Sequence, residues 1–151
     1  MTLRLILVTL VLAATAACST YRKEMDHNPP FAPHHFRSYD LEVQWQAKQT
    51  GSGILLAGTV TNHRAFYLRD LELTVRVVDG GGAVLGRVTF TDFPIYIPSE
   101  KSEPFRMEIN LPSGAAPERV RFTYVYWLTE EPPVFRGYGD VPYFGNFDSP
   151  L

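Results

Sequence analysis

Residues Leu71–Gly86 read LELTVRVVDGGGAVLG, and this stretch decides the fold. Leu71, Leu73, Val75 and Val77 alternate with Glu72, Thr74 and Arg76, then Asp79-Gly80-Gly81-Gly82 breaks the pattern and Ala83–Leu85 resumes it. Apolar side chains at every second position line one face of a strand, and a glycine-rich break of this kind turns the chain back. The product is a half-buried hairpin. A hairpin with one apolar face is not stable alone in water, so further strands must cover it.

Those strands are readable outward from the hairpin. Before it, Leu41, Val43, Trp45 and Ala47 alternate with Glu42, Gln44 and Gln46, and the run ends at Gln49-Thr50-Gly51-Ser52-Gly53. Ile54–Asn62 is a second strand, in which Gly58 marks a close crossing or a bulge. Asn62-His63-Arg64 opens a loop, Tyr67–Asp79 is the third strand and Ala83–Thr91 the fourth. Asp92–Pro98 carries Pro94 and Pro98 and reads as an edge or connection. Lys101–Leu111 places Phe105, Met107, Ile109 and Leu111 on one face. Pro112–Pro117 is a turn, and in Glu118–Leu128 the residues Val120, Phe122, Tyr124, Tyr126 and Leu128 alternate with Arg121, Thr123, Val125 and Trp127. No window has helical period. About seven short strands with turn signals between them predict an all-β chain, a single antiparallel β-sandwich over residues 39–129.

Composition sets the outer limits. The chain has 151 residues, 45% of them hydrophobic, which is enough for one domain with a core and tails. A net charge of -2 with mixed signs gives no reason to expect nucleic acid as a partner. The single cysteine, Cys18, leaves no internal disulfide, so packing alone must hold the fold.

The N-terminus has the layout of an export signal. Arg4 precedes an apolar and small-residue run from Leu5 to Ala17, shorter than the roughly 20 residues a spanning helix needs. Thr15-Ala16-Ala17-Cys18 resembles the lipobox of bacterial lipoproteins, with Thr15 where that family usually has Leu. The resemblance implies a signal peptide over residues 1–17, removal before Cys18 and a lipid on the Cys18 thiol, so that the membrane is held through that lipid. Ser19 at the second mature position implies delivery to the outer membrane, facing the periplasm. Residues 18–38 are polar and proline-broken, and read as a flexible tether. His27, His34 and His35 lie in it without the cysteines or spaced carboxylates of a metal site, so no metal is expected there.

The strand Gly58-Thr59-Val60-Thr61-Asn62, the run Leu71–Asp79, the turn Gly82–Leu85, Ile97-Pro98 and Pro104-Phe105 together resemble the FxLYD-type domains of exported prokaryotic proteins. Val75-Arg76-Val77-Val78-Asp79 stands where that family has its naming motif. The likeness spans roughly residues 54 to 109 and implies an immunoglobulin-like sandwich acting as an accessory or binding module outside the cytoplasm. The family offers no catalytic residues to carry over.

The chain contains no G-x-S-x-G, H-E-x-x-H or P-loop and no paired-cysteine motif. No catalytic residue or cofactor is therefore expected. Residues 130–151 are read as an irregular C-terminal segment rich in Pro, Gly and aromatics. Phe135, Tyr138, Tyr143, Phe144 and Phe147 in it are the candidate anchors for an envelope protein partner, since Tyr and Phe are favoured interface anchors. The same segment alternatively folds back onto the sandwich near Tyr126 and Trp127. A second functional reading is a binder of a small apolar or sugar ligand, with a pocket lined by Trp45, Tyr126, Trp127 or the tail. An enzyme of an unrecognised type is a third.

Overall fold

A computed structural model describes residues 34–129 and 141–151. These form nine strands: β1 (His34–Arg37), β2 (Leu41–Gln49), β3 (Gly53–Asn62), β4 (Tyr67–Val78), β5 (Val84–Phe90), β6 (Tyr96–Ile97), β7 (Ser102–Asn110), β8 (Arg119–Thr129) and β9 (Tyr143–Pro150). One sheet has the order β1-β2-β3-β7; the other runs β5-β4-β8-β9, with the short β6 also pairing β4. Every pairing is antiparallel. The chain is a two-sheet β-sandwich.

Period-2 alternation builds the core. Leu41, Val43 and Trp45 of β2, Ile54, Leu56 and Val60 of β3, and Phe105, Met107 and Ile109 of β7 point inward from one sheet. Leu73, Val75 and Val77 of β4 and Val120, Phe122, Tyr124 and Tyr126 of β8 meet them from the other. Gly58 is required by a close crossing. A Cβ there would lie 2.0 Å from the Gln44 carbonyl oxygen and 2.9 Å from the Phe105 ring. The Asp79 turn is held by its own side chain, since Oδ1 accepts from the Gly81 and Ala83 amides at 2.9 and 2.8 Å. Gly82 supplies the positive φ of 85° that the turn needs.

β4 is interrupted by a bulge between Arg69 and Glu72. Asp70 takes a φ of 52° there, and its amide donates to the Ile95 carbonyl at 3.0 Å. The extra residue shifts the alternation by one, so that Leu68 and Leu71 both face inward.

Among the described residues one polar side chain in the core is fully buried. Asn62 donates through Nδ2 to the Phe66 and Ile97 carbonyls at 2.8 and 2.9 Å, and its Oδ1 accepts from the Arg64 amide at 2.8 Å. All its hydrogen-bonding groups have work to do, which is the condition for burying an amide without loss.

Strands at both ends of the described residues extend the sandwich beyond 39–129. His34–Arg37, expected in the flexible tether, pairs along β2 and turns Phe36 inward. Tyr143–Pro150, expected in the irregular tail, forms eight residues of edge strand on β8. Its glycine and proline are compatible with this position. Gly145 sits where the Tyr124 ring leaves no room for a Cβ, and Pro150 is the last strand residue on an edge. β1 and β9 meet through Phe36 and Phe147, whose rings stack at 3.8 Å, while Phe147 also stacks on Phe122 at 4.7 Å.

Removing the Phe147 ring opens this closed side. Phe147→Ala should lower unfolding free energy by about 3 kcal/mol, the low end for deleting a packed phenyl group because the site is partly exposed. Urea denaturation measures it, and a loss under about 0.5 kcal/mol, the range of an ordinary surface change, would contradict this packing.

Candidate interaction surface

The aromatic anchors read from the C-terminal segment separate into different environments. Phe135 and Tyr138 lie outside the described residues, as do Cys18 and His27. Phe147 is a core-packed ring, touching Phe36, Phe122 and Trp45, and so is not a surface anchor. Tyr143 is half-exposed and stacks on Tyr126 with ring centres 5.7 Å apart. Phe144 is 78% exposed on the outer face of the β5-β4-β8-β9 sheet. The alternation that carries Phe147 inward sends Phe144 outward.

Register brings other apolar side chains beside Phe144. Val125 of β8 stands directly opposite it, and Trp127 lies two residues further along the same face. Arg69, opposite Trp127, sets its guanidinium 5.9 Å from the Trp127 ring centre. Tyr67 and Tyr96 meet edge-to-face at 6.2 Å, and Ile95 is 63% exposed in the connection before β6. One end of this outer sheet face is therefore apolar and aromatic. Sequence reasoning missed Ile95 as a surface residue and read Trp127 only as a lining residue for a small ligand or a seat for the tail. The signal was present for Trp127 and Val125, which occupy outward positions in the alternation of β8.

Trp45 and Tyr126, proposed as lining residues for a small ligand, are core residues with 1% and 2% exposure. An open cleft of about 470 Å³ lies at the opposite end of the sandwich, between the turn at 49–53 and the connection at 111–117. None of the aromatic candidates lines it.

A polar cluster covers the sandwich end where β3 leaves for β4. The Glu42 carboxylate takes His35 Nε2 at 3.1 Å and His63 Nε2 at 2.9 Å, and accepts a short bond from the Gln44 amide. His63 Nδ1 faces Glu100 Oε2 at 3.5 Å. Burial pushes the Glu42 carboxyl up, but Gln44 and the two histidines outweigh it and hold the group below the usual value. Next to it, Asp40 accepts from the Tyr126 hydroxyl and pairs with Arg64 Nε at 3.1 Å. Burial and the Asp40 carboxylate together push the Tyr126 phenol well above its ordinary range. Arg64 also lies over the Tyr39 ring at 4.7 Å. His34, by contrast, stacks on Trp45 at 5.4 Å. Among the described residues no group of three or more His, Cys, Asp or Glu is arranged to hold a metal ion. The cluster ties the β1 edge to the loop after β3, and its chemistry is that of charge-assisted hydrogen bonds.

No family model matches the chain, and no curated protein matches it. Among solved structures, the solution structure of AT1g01470 from Arabidopsis thaliana is similar with a TM-score of 0.34 and 15% identity, covering 82% of this chain and 84% of that one. So slight a likeness carries no argument.

The Glu42 pairs make a prediction about pH. A carboxyl held below its ordinary value adds stability above the unfolded pKa and loses it as pH falls through the folded one. Glu42→Gln should therefore be less stable than the native chain at neutral pH, and the gap should close as pH drops below about 4, the ordinary glutamate range. Denaturant titrations across the acid range check this; a gap that stays constant would contradict it.

Proposed function

We propose that the chain is a lipid-anchored, non-catalytic interaction module of the bacterial cell envelope, held to the outer membrane through Cys18 and facing the periplasm. In this reading the sandwich is of the immunoglobulin-like, FxLYD kind, residues 18–33 act as the tether and an envelope protein is the partner.

The observation that carries the docking part is Phe144. A phenyl ring 78% exposed on an edge strand, beside Val125 and Trp127, is an unfavourable arrangement for a chain that works alone. Covering such a ring stabilises a complex by about 1.5–3 kcal/mol, the usual gain for burying one large apolar side chain. The edge of β9 adds backbone donors and acceptors to the same region, which suits a partner strand or loop laid alongside. The observation that carries the anchoring part is in the sequence. The sole cysteine follows Thr15-Ala16-Ala17 at the end of an export-type segment.

Each half has its own test. Cys18→Ser should leave the precursor uncleaved or release the protein from membranes on fractionation; unchanged acylation and unchanged sedimentation with outer membranes would defeat the anchoring half. Phe144→Ser should leave the melting temperature nearly unchanged and abolish a specific crosslink formed in native cells. A crosslink that survives the substitution would remove Phe144 from the docking surface.

A further inference from the structure

The other end of the same outer sheet face has a different chemistry. Strand register arranges it in transverse rows. Arg76 of β4 stands opposite Arg87 of β5 on one side and Arg121 of β8 on the other, and Arg121 stands opposite Asp148 of β9. The row thus reads Arg-Arg-Arg-Asp across four strands. The neighbouring row places Thr89, Thr74, Thr123 and Asn146 side by side in the same way. Arg119 adds a fourth guanidinium beyond the arginine row, opposite Val78 and Pro150.

Among the described residues only Arg121 of these arginines has a well-formed carboxylate pair. Asp148 accepts from Arg121 Nε at 2.7 Å and from Nη2 at 2.8 Å. Arg76 donates to the Thr123 hydroxyl at 3.2 Å and has no carboxylate partner among the described residues. Arg87 is exposed and has no hydrogen-bond or ion-pair partner among the described residues. Arg119 Nε is buried without a hydrogen-bond acceptor. Like charges directly opposite across a sheet destabilise it, so the row works against the fold that displays it. Such a local conflict marks a functional position.

We propose that this face binds an acidic segment of a partner protein, with Arg76 and Arg87 taking two of its carboxylates in the manner in which Arg121 takes Asp148. The guanidinium fork matches a carboxylate through two parallel bonds. Adjacent strands stand about 4.8 Å apart, close to the roughly 5–6 Å between side chains four residues apart on one helix face, so one acidic helix presents both carboxylates together. The Thr74, Thr89 and Thr123 hydroxyls lie in the adjacent row for its remaining polar groups. A nucleic acid is disfavoured because these rows hold no aromatic ring for base stacking and the chain carries a net charge of -2. A lipid surface is disfavoured because the rows hold no apolar side chain to enter it; the exposed Phe144 stands two rows from the arginines, beyond the threonine row. The inference extends the interaction-module reading to a second surface and needs neither the lipid nor Phe144.

The test is fluorescence anisotropy of a labelled alanine-rich helical peptide, with glutamates spaced four residues apart on one face, titrated with the full mature chain. Saturable binding is expected that weakens with added salt. R76Q/R87Q should weaken it about tenfold or more, equivalent to about 1.4 kcal/mol, while R37Q on β1, away from this face, should leave it unchanged. The charge-reversed R76E/R87E should take an oligolysine peptide instead, and thermal melts confirm that each variant is folded. Should R76Q/R87Q fail to fold, the single variant R87Q on the edge strand carries the measurement with a smaller loss. Absence of saturable binding at low salt, or equal affinity in native and R76Q/R87Q chains, would overturn the proposal. So would binding to phosphatidylglycerol vesicles without binding to the peptide.

Discussion

The stack of Phe36, Phe147, Phe122 and Trp45 is the contact on which the architecture depends. The chain has a single cysteine, so no internal disulfide joins the two sheets. On one side they approach through β5 and β7, where Gly86 brings its backbone against Ile109 and Leu111. On the other side they approach through their two outermost strands, β1 and β9, contributed by the two ends of the described chain. Phe36 and Phe147 fill the gap between those strands. Because Phe147 is drawn inward, period 2 fixes Phe144 on the outside and Asp148 beside Arg121. One inward-facing ring thus sets which β9 side chains stand on the outer face.

Asn62 sets the upper end of the sandwich in a comparable way. Its three hydrogen bonds fasten the loop after β3 and the end of β6 to the same point. His63 and Arg64 are thereby presented to Glu42 and Asp40, and Tyr96 is brought against Tyr67. The Asp70 bulge then re-aims β4 so that Arg69 reaches Trp127 on the outside while Leu68 and Leu71 stay inside. The surface chemistry is a consequence of core geometry in each case.

The sandwich was legible in the sequence wherever alternation ran long enough. β2, β3, β4, β7 and β8 each show four or more inward positions or a continuous run, and Gly58, read as a close crossing or a bulge, stands where the β2 backbone approaches closely. β1 was hidden because four residues give only His34 and Phe36 as inward positions, inside a polar, proline-broken stretch. β9 was hidden because Gly145 and Pro150 are turn signals in isolation, and only the Tyr124 ring explains the glycine. The Asp70 bulge leaves no local mark beyond an aspartate, a residue tolerant of positive φ. The polar cluster and the arginine row were illegible for a different reason. Asp40 and Tyr126, or Arg76, Arg87 and Arg121, meet only once strand register is known.

The C-terminal strand is an integral edge of the sandwich, and it fixes which side chains stand on the outer face. Residue-resolved hydrogen exchange on the native chain tests it most directly. The account predicts that the β9 amides facing β8 exchange slowly, with protection close to that of the β8 amides they pair with. Rapid exchange throughout 143–150 with β8 still protected would contradict it, since Phe147 would then not hold the open side closed and Phe144 would not belong to a fixed surface.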